Sequence, residues 1–210
     1  MAGLEFKPTR MELQNLKKRR KVASRGHKLM KDKRDELVRR FIVYIKLNKE
    51  LRERVEARLG DAFAAFVLAK ATMSPENIEE AFAYPAARAS IVSETKNELS
   101  VTVPKLSVTI EHASAKLPYS FSDTSAELDD AVTAFSELLP LLIELAEVEK
   151  TCNMLADEIE KSRRRVNALE YVMLPQLDEA IRAIRMKLDE NERGNLTRLM
   201  KTKDMLAKRK

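Results

Sequence analysis

Apolar positions recur along the first part of the chain in alternating steps of three and four: Leu13, Leu16, Arg20, Ala23, His27, Met30, Arg34, Leu37, Phe41, Tyr44, Asn48, Leu51, Val55 and Arg58. Nine of these fourteen are apolar or aromatic. A repeat sustained this long is the seam of a coiled coil, not the face of a short globular helix. Arg20, His27 and Arg34 interrupt it, which predicts polar partners for them or a seam displaced toward Val22, Leu29 and Val38. The helix has a readable start. Pro8 precedes Thr9-Arg10-Met11-Glu12, a capping box whose threonine hydroxyl accepts from the amide near Glu12. As one helix, residues 10–58 span roughly 73 Å at ~1.5 Å per residue.

A second seam follows another capping box, Thr124-Ser125-Ala126-Glu127. It runs Val132, Phe135, Leu138, Leu142, Leu145, Val148, Cys152, Leu155, Ile159, Ser162, Val166, Leu169, Met173, Leu177, Ile181, Ile184, Leu188. Near its middle stands "RRRVNALEYVMLPQL", Arg163 to Leu177, where three arginines lead into an apolar run that contains Pro175. A proline inside a helix removes a backbone hydrogen bond and costs about 3 kcal/mol or more. There the steps become four and four (Met173, Leu177, Ile181), a stutter that locally unwinds a coil. The pattern predicts a bend or irregularity within a turn of Pro175, with the hydrogen bond to the Tyr171 carbonyl lost. The expected coil core is Leu13, Leu16, Met30, Leu37 and Phe41 from the first helix, with Leu155, Ile159, Val166, Leu169, Met173 and Leu177 from the second. Two such helices in one chain most simply pair antiparallel with each other; an intermolecular coil is the alternative.

The middle of the chain reads differently. "DAFAAFVLAKATM" has the pattern of a short apolar helix, and "SPENIEEAF" starts a second with Ser74 as cap and Pro75 at the first helical position. "RASIVSETKNELSVTVPKLSVTIEH" is β-branched and alternating, a small β-hairpin with "ETKNE" as its turn. Pro104 confines its second strand to an edge or a bulge. Two strands alone are marginal in water, so the hairpin is expected to pack on the stem or on a partner. "ASAKLPYSFSDTS" reads as a loop. The expected architecture is all-α dominated: a long antiparallel two-helix coiled coil with a small middle region of short helices and a β-hairpin. Its segments are residues 1–60, 61–124 and 125–210.

Composition agrees with long helices. Charged residues make up 34% of the 210 and only four are glycine, so breakers are scarce. No apolar run approaches the ~18–20 residues of a membrane span. "MAGLEFKPTRMEL" has no signal-peptide hydrophobic region. One cysteine, Cys152, forms no internal disulfide, which suits a reducing cytosol. Charge is unevenly spread. Residues 1–58 carry 19 Lys/Arg and 8 Asp/Glu, or +11, and residues 123–160 carry 11 acids and one lysine, or −10. The two segments attract each other, and the basic one is also open to nucleic acid.

Catalytic chemistry finds no support. Gly3, Gly26, Gly60 and Gly194 assemble neither a phosphate-binding loop nor a dinucleotide fingerprint. His27 and His112 lack metal-ligand neighbours at useful spacing. No cofactor is expected. Gly26 is either a point of close backbone approach or a tolerated weak spot. The basic clusters Lys17, Lys18, Arg19, Arg20 and Arg163, Arg164, Arg165 have no interleaved aromatics. They rank as a solvated face first, a surface for acidic protein second and a nucleic-acid site third.

Two long motifs carry a family resemblance. "PTRMELQNLKKRRKVASRGHKLMKDKRDEL", Pro8 to Leu37, is similar to the N-terminal motif of the D-subunit family of V-type and V/A-type rotary ATPases. "LAEVEKTCNMLADEIEKSRRRVNALEYVMLPQL", Leu145 to Leu177, is similar to that family's C-terminal motif. The resemblance implies a central rotor shaft, comparable in role to the gamma subunit of F-type synthases. Its upper end enters a hexameric head of catalytic A and non-catalytic B subunits. Its lower part binds the F subunit and seats on the funnel-shaped subunit that caps the membrane rotor ring. It further implies a cytoplasmic, peripheral, non-catalytic subunit of a complex that moves H⁺ or Na⁺, with no nucleic acid bound and no insertion into the bilayer. The basic clusters then become candidate contacts to acidic loops of the head, and deletion of residues 89–105 becomes a test of the hairpin. The rival classes are a coiled-coil adaptor with a nucleic-acid-binding basic face and an enzyme with its site in the middle region.

Overall fold

The computed structural model describes residues 7–83, 87–112, 119 and 124–208. Helix α1 runs Arg10–Thr72, α2 Pro75–Phe82, strand β1 Ala87–Glu98, β2 Val101–His112, α3 Ala126–Ala168 and α4 Leu174–Ala207, with a π-helical turn at Leu169–Met173 between α3 and α4. The fold is all-α dominated with one antiparallel hairpin. Most of the loop expected at "ASAKLPYSFSDTS" lies outside the described residues, as do the first six residues.

The Thr9 cap forms: the Glu12 amide donates to Thr9 Oγ1 at 3.2 Å. α1 does not close near Gly60 but continues to Thr72. The reason is the buried spacing, which carries on from Val55 to Ala62 and Ala69. The expected short apolar helix is therefore the last part of α1. Ser74 then caps α2, accepting from the Asn77 amide at 3.3 Å, with Pro75 at its first turn.

The chain divides into two compact units. The first takes residues up to Asp35 and from Glu160 onward. In it α1 and α4 run antiparallel, and Leu16, Ala180 and Ile184 form a core flanked by Leu13, Leu177, Ile181 and Leu188. The second comprises Glu36–Ile159. There Leu51, Val148 and Cys152 form one cluster between α1 and α3, and Ala69, Ala81 and Leu128 form another that seats α2. A third joins the hairpin to the helices: Leu37 and Leu155 bury Val101 and Val103, with Phe41, Leu99 and Ile159 packed around them.

The hairpin is longer than its sequence suggests, and its turn lies elsewhere. "ETKNE" belongs to β1, which pairs with β2 from Ala87↔His112 to Glu98↔Val101. The turn is Leu99-Ser100, with φ of 51° and 69°. Positive φ at both central residues is the type I′ geometry that matches strand twist. Leucine in the left-handed region costs about 1–2 kcal/mol. Two contacts offset this: Leu99 packs on the core, and the Ser100 amide donates to Asn97 Oδ1 at 3.0 Å. Pro104 pairs with Thr95 without a bulge. It shares its strand parity with Leu106, whose amide points away from β1 to Glu147 Oε2 at 2.7 Å. The missing proline N–H therefore belongs to the outer edge, and no ladder bond is lost.

Candidate functional site

Three features stand out along the helices: the basic surface, the π turn and the hairpin anchor. The basic surface lies in the first unit. Lys17, Lys18, Arg19 and Arg20 are exposed on α1, and Arg163, Arg164 and Arg165 are exposed at the end of α3. Arg20 donates to both carboxylate oxygens of Asp178, at 2.5 and 3.3 Å. Arg164 pairs with Glu160 one helical turn away at 3.0 Å. Arg20 stands level with Asp178, and His27 with Glu170. The two clusters are therefore offset by roughly 20 Å along the helices, at ~1.5 Å per residue, and form no single patch. Lys17, Arg20, Lys21 and Arg25 line a shallow groove of about 500 Å³ with Ser24, Asp178 and Ile181.

The seam interruptions acquire polar partners. Arg20 meets Asp178, His27 Nε2 lies 3.2 Å from Glu170 Oε2, and Arg34 pairs with Asp35 at 2.7 Å. Val22 and Leu29 stay exposed, so the seam does not move toward them. A Cβ built on Gly26 meets nothing within 4 Å, so no close approach requires that glycine.

The π turn sits directly before Pro175. The Leu174 amide donates to the Leu169 carbonyl, five residues back. This wider turn inserts one residue into the helix and makes room for the proline ring, which in a regular helix collides with the carbonyl four residues earlier. It also rotates the seam. Met173, expected in the coil core, is 48% exposed, and Leu174 takes the half-buried position instead. Val166 is buried, and Leu169 and Leu177 are half-buried. Tyr171, Val172 and Met173 are exposed. The remaining core expectations fall as follows: Leu16, Leu37 and Leu155 are fully buried, and Leu13, Met30, Phe41 and Ile159 are half-buried.

The hairpin anchor was not visible in the sequence. Tyr44 donates its hydroxyl to Glu98 Oε1 at 2.8 Å, and Lys96 Nζ reaches the same oxygen at 2.9 Å. Glu98 is 5% exposed, and its second oxygen has no hydrogen-bond partner among the described residues. Burial alone raises the Glu98 carboxyl, but the hydrogen bonds from Lys96 and Tyr44 outweigh it and hold the group below its ordinary value. Burial, reinforced by the bond to Glu98, pushes Tyr44 up to about 12. Cys152 is also raised by burial, against a hydrogen bond with Asn48, so its thiol is not activated. Among the described residues, no group of three or more His, Cys, Asp or Glu is placed to hold a metal, and no helix is long and apolar enough to cross a membrane.

Comparison with known proteins places these features in context. Residues 12–204 match the family described as the D subunit of ATP synthase. The V-type ATP synthase D subunit of Thermoanaerobacter sp. (strain X514) is 52% identical over 208 residues, covering 99% of this chain and 100% of the relative. That of Clostridium novyi (strain NT) is 55% identical over 211 residues, 99% of this chain and 98% of the relative. That of Fusobacterium nucleatum is 54% identical over 209 residues, 99% of each.

Proposed function

Because the chain belongs to the D-subunit family of ATP synthases, we propose that it is the central stalk of a V-type ATP synthase, the shaft that carries rotation between an A/B head and a membrane ion-translocating ring. The observation that carries this reading is full-length identity of 52–55% to V-type ATP synthase D subunits. In this reading ATP chemistry belongs to the head, and this chain is a non-catalytic subunit with no cofactor of its own. Its partners are the A and B subunits, the F subunit and the funnel-shaped subunit on the rotor ring; it binds no nucleic acid and sits at the membrane periphery without entering the bilayer.

The antiparallel pairing of α1 with α4 in one unit and with α3 in the other supports a torsion-bearing element, since packed helices resist twist where a single helix does not. Contacts with the head must form and break at each step. Exposed ion pairs suit this, being worth about 0–1 kcal/mol each. Lys17, Lys18, Arg19, Arg163 and Arg165 meet acidic loops of the head in turn. Arg20 and Arg164 contribute less, because Asp178 and Glu160 already hold them. The test is the complex carrying Arg163→Gln, Arg164→Gln and Arg165→Gln together. Ions moved per ATP hydrolysed are expected to fall while the chain stays helical by circular dichroism; unchanged coupling sinks the assignment of these arginines.

A further inference from the structure

We propose that an aromatic pocket in the second unit is a socket for an apolar side chain presented by a basic protein surface. Phe63 and Phe66 come from α1, Phe82 from α2, and Ala131, Val132 and Phe135 from α3; together they enclose about 320 Å³. All six are apolar. The rings brace one another: Phe63 and Phe135 meet edge-to-face with centroids 5.6 Å apart, and Phe66 and Phe82 lie 6.2 Å apart. Of the lining residues, Val132 also packs against the buried cluster of Ala69, Ala81 and Leu128, which ties the pocket to the core. The mouth is open, with Phe63 52% and Phe82 51% exposed. A preformed apolar hollow with aromatic walls is the geometry that receives a single anchoring side chain in a protein interface.

Charge selects the occupant. Residues 60–83 and 124–139 carry eight carboxylates and one lysine, a net of −7 in a chain whose overall net charge is +6, and Arg58, just before them, offsets one of these by pairing with Glu137 at 3.9 Å. Glu79 and Glu80 on α2 and Asp130 on α3 are exposed in this region. A two-fold contact of this face with that of a second copy would set these carboxylates against each other, and anionic lipid or nucleic acid would be repelled. A collar of Lys or Arg around an apolar plug satisfies both features, with its cations also drawn to the exposed ring faces. The socket rests on this geometry and goes beyond the stalk reading.

The test replaces Phe63 with p-benzoylphenylalanine in the full chain, within the complex purified from cells, and identifies the cross-linked peptide after irradiation. The expected product joins position 63 to an apolar residue of a different polypeptide, flanked by Lys or Arg. Cross-linking to this chain, to a second copy, to lipid or to a segment without basic residues overturns the proposal, as does no cross-link. The variant Glu79→Lys with Glu80→Lys leaves the pocket intact and is expected to lower the yield about tenfold at low ionic strength, the effect of ~1.4 kcal/mol; an unchanged yield refutes the role of charge. A basic plug on a protein outside the rotary ATPase would keep the socket and overturn the stalk reading.

Discussion

Two prolines lie inside the C-terminal helical stretch, one in each unit, and only one disturbs it. Pro140 sits within α3, which stays α-helical around it. Pro175 follows a π turn. Both prolines are exposed, so burial of the ring does not separate the two cases. The apolar spacing does. Around Pro140 the expected seam keeps steps of three and four, whereas beyond Met173 it takes two steps of four in succession. One added residue in the helix turns Leu174 and Leu177 back to the partner. A proline permits such a turn, but the demand comes from the side chains that must be buried.

The sharpest way to break this comparison is to remove each proline. Pro140→Ala is expected to stabilise the protein by about 2–3 kcal/mol in urea unfolding, because Pro140 occupies a helix interior. Pro175→Ala is expected to gain less than about 1 kcal/mol, because Pro175 occupies the first turn of α4, where proline is well tolerated. Equal gains would mean that the π turn is the work of the proline alone.

The units also differ in how they respond to pH. Only the second holds a hairpin fastened by a buried carboxylate. Tyr44→Phe is expected to cost about 1–3 kcal/mol, since it strips a hydrogen bond from buried Glu98. The raised Tyr44 stabilises the fold fully below its unfolded pKa of about 10, and that stabilisation disappears as pH climbs toward 12. The lowered Glu98 acts oppositely: its contribution is present above the ordinary carboxylate range and is lost as pH falls through its own depressed value. Melting temperature followed against pH should show both losses in the native chain and smaller ones in Tyr44→Phe; the alkaline loss does not vanish there, because Tyr119, bonded to Asp129, is raised as well.

The smallest effect tests the rotated seam. Leu174→Ala is expected to destabilise by about 1–2 kcal/mol and Met173→Ala by less than about 0.5 kcal/mol, as half-buried and exposed positions respond. The reverse order would restore the seam that the plain repeat predicts.

The hairpin shows why part of the fold was hidden. Its alternation was legible, but Leu99-Ser100 lacks the Asn-Gly chemistry that announces a type I′ turn. Its anchoring was equally hidden, because Tyr44 and Glu98 are 54 residues apart. Deleting residues 89–105 would remove Val101 and Val103 from the core they share with Leu37 and Leu155, so that deletion tests stem stability as much as contact with a partner. Likewise, Phe63, Phe66, Phe82 and Phe135 carry no spacing that foretells a pocket; three separate helices bring them together.

What the residues determined by themselves is local and periodic: two long helices, the Thr9 and Ser74 caps, an alternating pair of strands and an irregularity at Pro175. These follow from side-chain period, capping oxygens and the missing proline N–H, all of which act within a turn or two of the chain. The tertiary structure decided rotation and register: Met173 out and Leu174 in, a leucine held at positive φ, and a carboxylate buried against Tyr44. Each is unfavourable or neutral in isolation and becomes favourable only when a distant partner covers it, which no short stretch of sequence contains.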